Sequence, residues 1–189
     1  MRQSHVCAAL LMALSWLAWS AFAASPLPPH QHGYADLEVL IDGAQIDVTL
    51  DTPLYNLLAF EHPPRTAAEQ DKARQMVQLL RQPARLLVFS PAAGCQVRDL
   101  QLYSPALPAA LLQDGPAPAK AETATPSVPP HSNLTGHFHF RCQHPEALGQ
   151  LRVELFNPFL YLTVVKVQIR SDKGEKAALL TSDKNSIPF

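Results

Sequence analysis

The chain has 189 residues, a formal net charge of −1 and 47 % hydrophobic residues. A length of this order holds one ordinary domain, and near-neutrality offers no basic surface for nucleic acid or an anionic membrane. Only seven glycines occur in the whole chain, which leaves little room for a glycine-rich phosphate cradle.

The N-terminus has three parts. MRQSH carries one arginine and no acid, an apolar run from Val6 to Ser20 follows, and Ala21-Phe22-Ala23 supplies small residues where a signal peptidase cuts. This is the pattern of a secretory signal peptide over 1–23. The run is too short for the ~20 residues of a membrane span, so the expectation is an exported, soluble protein of one domain, 24–189, with no span after cleavage. Removal of the leader leaves Cys95 and Cys142. In an oxidising compartment an even pair is most simply a disulfide, with paired thiolate metal ligands as the competing reading.

Beyond the leader, Ala35, Leu37, Val39 and Ile41 alternate with polar residues, Asp42-Gly43 follows, and Ile46, Val48 and Leu50 alternate again. The pattern predicts a hairpin with one buried face. LYNLLAF after Pro53 is ambiguous. Thr66 and Glu69 form a capping box, and Ala73, Met76, Val77 and Leu80 recur at helical spacing before Pro83, predicting an amphipathic helix over about 66–82.

Strands are expected at Arg85–Ser90 and Val97–Tyr103. The segment of about 107–130 is rich in proline and alanine, with no aromatic residue, and predicts a disordered excursion within the domain. Alternation resumes at GHFHFRCQHP, LRVELF, YLTVVKVQIR and KAALL. The sum is an α+β fold: an antiparallel sheet or sandwich of about seven or eight strands with one main helix.

No nucleophile elbow, phosphate loop or His-Glu-x-x-His helix is present, and no catalytic residue is assigned. The histidines carry more. Phe138, Phe140 and Cys142 share one strand face, so His137 and His139 share the other, with Cβ atoms about 7 Å apart. His30 and His32 have the same spacing. Such pairs can converge on zinc, and copper or nickel also accept imidazole. The plainer alternative is an exposed polar pair. His62 fits a loop or core hydrogen-bonding role equally well.

Several stretches together resemble the ZrgA-like family of bacterial periplasmic proteins, which are zinc-regulated and linked to zinc uptake. His30-Gln31-His32-Gly33-Tyr34-Ala35-Asp36-Leu37 resembles the family's opening, and Phe60-Glu61-His62-Pro63-Pro64 resembles its Phe-Glu-His-x-Pro element. His131-Ser132-Asn133-Leu134 through Cys142 resembles its His-Ser-Asp segment before an aromatic strand. The chain departs from the family in two ways. The segment Leu107–Pro130 holds no histidine, where members often carry a histidine- and aspartate-rich loop, and Asn133 stands where aspartate is usual.

The resemblance implies a non-enzymatic metal-binding protein that takes up zinc through histidines and passes it to the periplasmic binding protein of a zinc transporter. Candidate ligands are His30, His32, His137 and His139, then His131 and His62; His144 falls outside the pattern. Ligand imidazoles must be neutral, so affinity should fall below about pH 6.5. The alternative is a structural or protein-interaction module in which metal binding is lost.

Overall fold

A computed structural model describes residues 31–113 and 131–189. The leader 1–23, His30 and residues 114–130 of the expected excursion lie outside the described residues.

The first hairpin forms as its alternation requires. Strands β1 (Tyr34–Asp42) and β2 (Gln45–Pro53) pair antiparallel, with Leu37 opposite Leu50 and Val39 opposite Val48. The connecting residues are Gly43-Ala44, one position later than the Asp-Gly dipeptide suggests. Gly43 has φ +54° at the first central position, the type II′ arrangement whose twist matches the flanking strands. Ala35, Leu37 and Val39 are buried along with Ile46, Val48 and Leu50.

Seven more strands follow: β3 (Leu87–Phe89), β4 (Gln96–Tyr103), β5 (Asn133–Arg141), β6 (Gln150–Val153), β7 (Val164–Ser171), β8 (Gly174–Leu180) and β9 (Ser186–Pro188). They build a six-stranded sheet in the order β4-β5-β2-β1-β7-β8 and a three-stranded sheet in the order β3-β6-β9. The fold class is α+β as expected. The described residues hold nine strands, and the pair β1 and β7 is parallel, with Tyr34 beside Val164. The segment before β7 packs Leu155, Phe156, Phe159 and Leu162 into the core. It delivers the chain to the start of β1, where Thr163 and Val164 donate their N–H groups to the Gly33 carbonyl at 2.8 and 2.9 Å. A strand launched beside the start of β1 can only run parallel to it.

The helices are α1 (Leu54–Leu58), α2 (Ala67–Leu80), α3 (Pro83–Leu86) and α4 (Ala109–Leu112). Helix α2 opens on the expected capping box. The Thr66 hydroxyl accepts from the Glu69 N–H at 3.2 Å, and the Glu69 carboxylate accepts from the N–H groups of Arg65 and Thr66. Ala73, Met76, Val77 and Leu80 are buried. Pro83 starts a further turn instead of ending helical structure, because its fixed φ suits the first helical position. That turn replaces the first part of the expected strand from Arg85. Residues 107–113 of the expected Pro/Ala-rich excursion are ordered. Leu107 and Leu112 are buried around α4, and this apolar burial orders residues up to Gln113.

The inner face of the large sheet, α2 and the small sheet enclose one hydrophobic core. Leu50, Leu80, Leu86, Leu87, Phe138 and Leu155 meet where all three converge. Phe89 of the small sheet sets its ring edge-on to Phe140 of β5, 5.0 Å between centroids. The outer face of the large sheet is mostly polar, with Leu40, Tyr103 and Leu179 also exposed there.

Cys95 and Cys142 are disulfide-bonded, as the sequence predicts. The bond closes β4 and β5 beside two backbone ties, Cys142 N–H to the Ala44 carbonyl at 2.8 Å and His144 N–H to the Ala93 carbonyl at 3.0 Å. Closing a loop of this length stabilises by about 4 kcal/mol in the chain-entropy model. Urea unfolding with and without reductant should therefore differ by about that amount; equal midpoints would assign the bond no such role.

Thr66→Ala should cost about 1 kcal/mol through the lost cap. The Arg65 N–H, foremost among its neighbours, holds the Glu69 carboxyl below the ordinary carboxylate range. A depressed folded-state value gives stability that is present above the unfolded value and lost as pH falls through the folded one. The urea-midpoint difference between parent and Glu69→Gln should therefore shrink between about pH 7 and about pH 3.

Candidate metal centre

His32 sits at the second position of a turn from Gln31 to Tyr34, closed by Tyr34 N–H to the Gln31 carbonyl at 3.1 Å. The next residue, Gly33, has φ +87°, which a type II turn demands at that position. A Cβ there would also lie 2.8 Å from Thr163 Oγ1. The turn is tied on both sides. The Gly33 carbonyl accepts from β7, and the Gly33 N–H donates to Asn56 Oδ1 at 2.7 Å.

Asn56 belongs to α1 and is 0 % exposed. Its Nδ2 donates to the Tyr34 carbonyl at 2.7 Å and to Thr52 Oγ1 at 3.0 Å. The amide thus clamps the backbone on either side of the turn. The preceding helix residue, Tyr55, stacks on the His32 ring with centroids 4.3 Å apart and planes 11° apart. Backbone and ring of His32 are both fixed by α1.

The same helix aims the second group. It ends at Ala59 in the left-handed conformation, φ 65°, with the Ala59 N–H donating to the Tyr55 carbonyl at 2.8 Å. Glu61 follows two residues later, its side chain only 9 % exposed. The third group arrives from the other half of the chain. Leu54 N–H donates to the Ser132 carbonyl at 2.8 Å, and Pro53 pairs with Asn133 at the end of the β2–β5 ladder. Together these contacts place His131 at the start of β5, against α1.

Glu61 is the hub. Its Oε1 lies 3.2 Å from His32 Nε2 and its Oε2 lies 2.8 Å from His131 Nδ1. The two imidazoles stand edge to face, 6.5 Å between centroids. One ligand atom from each of the three residues lies within 4.8 Å of the others. Two imidazole nitrogens and a carboxylate oxygen are a zinc donor set, and three protein ligands leave the fourth tetrahedral position open. Tetrahedral donors about 2.0 Å from zinc sit about 3.3 Å apart, so small side-chain rotations would close this set on one ion. Tyr161 lies next to the site through Tyr55, packing edge-on to it at 5.3 Å, and its chain neighbour Leu160 is 81 % exposed.

Of the six histidines singled out from the sequence, the structure brings His32 and His131 together. His62 stacks on Phe60 and directs Nδ1 at the Pro63 carbonyl, 3.0 Å away. His137 and His139 lie on the outer face of β5, in contact with Thr49 and Asp47. His30 lies outside the described residues. His144 pairs with Glu146 at 3.3 Å.

Sequence reasoning passed over Glu61. Attention fell on its neighbour His62, although an acid between Phe60 and a histidine, in a stretch matching a zinc-linked pattern, was a readable signal. Asn133 also acquires a role. Its Nδ2 donates to Asp51, whose other oxygen accepts from Thr135 Oγ1 at 2.9 Å. The amide here neutralises the hydrogen-bonding demand of a carboxylate, a contact that aspartate would turn into repulsion.

No helix among the described residues is long and apolar enough to cross a membrane. No curated protein matches the chain. A family model described as ZrgA family zinc uptake protein matches residues 29–189. With that match spanning the hairpin, the His/Glu/His cluster and the disulfide, the chain belongs to the ZrgA family of zinc uptake proteins.

Proposed function

We propose that the protein is a non-enzymatic carrier of the bacterial periplasm that binds one zinc ion through His32, Glu61 and His131. The observation that carries this reading is the single carboxylate of Glu61 holding two imidazoles, one on each oxygen. Zinc is cargo here. Three protein ligands with one open position suit an ion that must be taken up and released, whereas structural zinc sites are closed by four. The low exposure of Glu61 and the stacking of Tyr55 on His32 keep the donor set assembled, which lowers the ordering cost of binding.

The reading extends to a partner. The periplasmic binding protein of a zinc transporter would receive the ion at this edge, where half-exposed Tyr161 packs against Tyr55, the residue stacked on His32. Residues 1–23 would direct export and be cleaved off in the process, and an oxidising compartment suits the Cys95–Cys142 bond.

Zinc titration of the leaderless, oxidised protein against a chelator of known affinity tests the proposal. One equivalent should bind tightly, and affinity should fall on acidification because protons compete for the imidazole nitrogens. His32→Ala, Glu61→Gln and His131→Ala should each lower affinity by roughly 100-fold or more, exceeding the loss typical of an outer-shell partner. Parent-like binding in all three variants would reject the assignment.

Asn56→Ala should act indirectly. It leaves the Gly33 N–H and the Tyr34 carbonyl without their partner, costing about 1–3 kcal/mol of stability, and frees the His32 turn. Zinc affinity should drop about 10-fold with unchanged stoichiometry. Unchanged affinity in a measurably destabilised variant would confine Asn56 to folding.

A further inference from the structure

The polar outer face of the large sheet carries a second set of imidazoles. His137 and His139 are two residues apart on β5 and point away from the core, as Phe138 and Phe140 point into it. β2 braces each of them in register. His139 stands opposite Asp47, and His137 opposite Thr49.

The braces fix which nitrogen is available. His139 Nδ1 is hydrogen-bonded to the Asp47 carboxylate. An ionised carboxylate only accepts, so Nδ1 carries the proton and Nε2 keeps its lone pair. His137 Nδ1 lies 3.2 Å from Thr49 Oγ1, whose hydroxyl can accept in the same way. Imidazoles that ligate metals are typically held by a partner at the other ring nitrogen. Both rings are solvent-accessible; the His139 side chain is 45 % exposed.

Charge at this place favours a cation. Asp99 of β4 is the register partner of His139 on its other side, so carboxylates lie across both neighbouring strands. Cβ atoms at i and i+2 of a strand are about 7 Å apart, a span two imidazoles can bridge through one ion at about 2.0 Å per Nε2 bond. From these contacts we infer a second, open transition-metal site, with His137 Nε2 and His139 Nε2 as ligands and Asp47 as the positioning residue for His139.

Two protein ligands make this site weaker than the three-ligand cluster, and water completes the coordination. An imidazole pair with no imposed geometry follows the Irving–Williams order, so copper(II) binds more tightly than nickel or zinc. The site is separate from the first. His131 precedes β5, whose stretch from Asn133 to His139 alone spans about 20 Å at strand rise, and no ligand is shared.

The test uses the oxidised, leaderless chain with labelled histidine rings, in parent and His131→Ala forms. Zinc, a diamagnetic probe, should shift the His137 and His139 ring signals together at a common midpoint in both forms. The His32 and His131 signals report the first site independently, so failure of one site is distinguishable from failure of the other. His137→Ala should abolish the zinc response of His139. Asp47→Ala should weaken binding about tenfold and redistribute the His139 tautomers in ring nitrogen spectra. Calorimetry should find copper(II) tighter than zinc at this site. Unshifted rings at millimolar zinc, a His139 response that persists in His137→Ala, or zinc binding tighter than copper(II) would overturn the assignment.

Discussion

A carboxamide removed from water must find partners within the protein, since a buried polar group left unmatched costs more than its hydrogen bonds return. Asn56 is such a group, and its partners are the backbone of Gly33 and Tyr34 and the hydroxyl of Thr52. Satisfying it fixes α1 against the start of β1. Everything at the candidate site follows from that contact. Tyr55 falls over His32, Ala59 turns the chain back, and Glu61 reaches the space between two histidines. The left-handed Ala59 is a local cost, accepted where the turn must aim a carboxylate.

On the proposed reading, the cluster would serve a member of a zinc uptake family that has no histidines in Leu107–Pro130. A flexible histidine tract gathers ions by number and orders itself on binding. Side chains held in place on the folded domain, as His32, Glu61 and His131 are, would gather few ions but lose little freedom in doing so. The two arrangements solve different problems, capacity in one case and assembled geometry in the other. The Asn133–Asp51 contact belongs to the same logic. It satisfies the Asp51 carboxylate with a neutral donor, where an aspartate at 133 would set a second negative charge against it.

Local sequence signals made much of the fold legible. Alternation around Gly43 gave the hairpin, Thr66 and Glu69 marked the start of α2, and the cysteine pair in an otherwise cysteine-free domain indicated the disulfide. Signals of period two also placed Phe138 and Phe140 inward and His137 and His139 outward. What stayed hidden depends on contacts distant in the chain. Nothing near Val164 says that its strand will lie parallel to β1, because that follows from Thr163 meeting Gly33. The burial of Leu107 and Leu112 depends on core elements far from a proline-rich stretch. Glu61 was on view in the sequence, yet only the fold brings it between histidines 29 and 70 residues away.

The parallel pairing of β1 with β7 bears on the order in which the molecule can be made. The central strand is complete only when Tyr34 meets Val164, so the fold carries long sequence separations of the kind that slow folding. A chain emerging from its N-terminus presents His32 and Glu61 well before residue 131 exists beside them. At that stage the backbone of the turn lacks its β7 partners. The three side chains of the candidate site therefore come together only once β5 and β7 are both in place, so the cluster is among the last features of the fold to be completed.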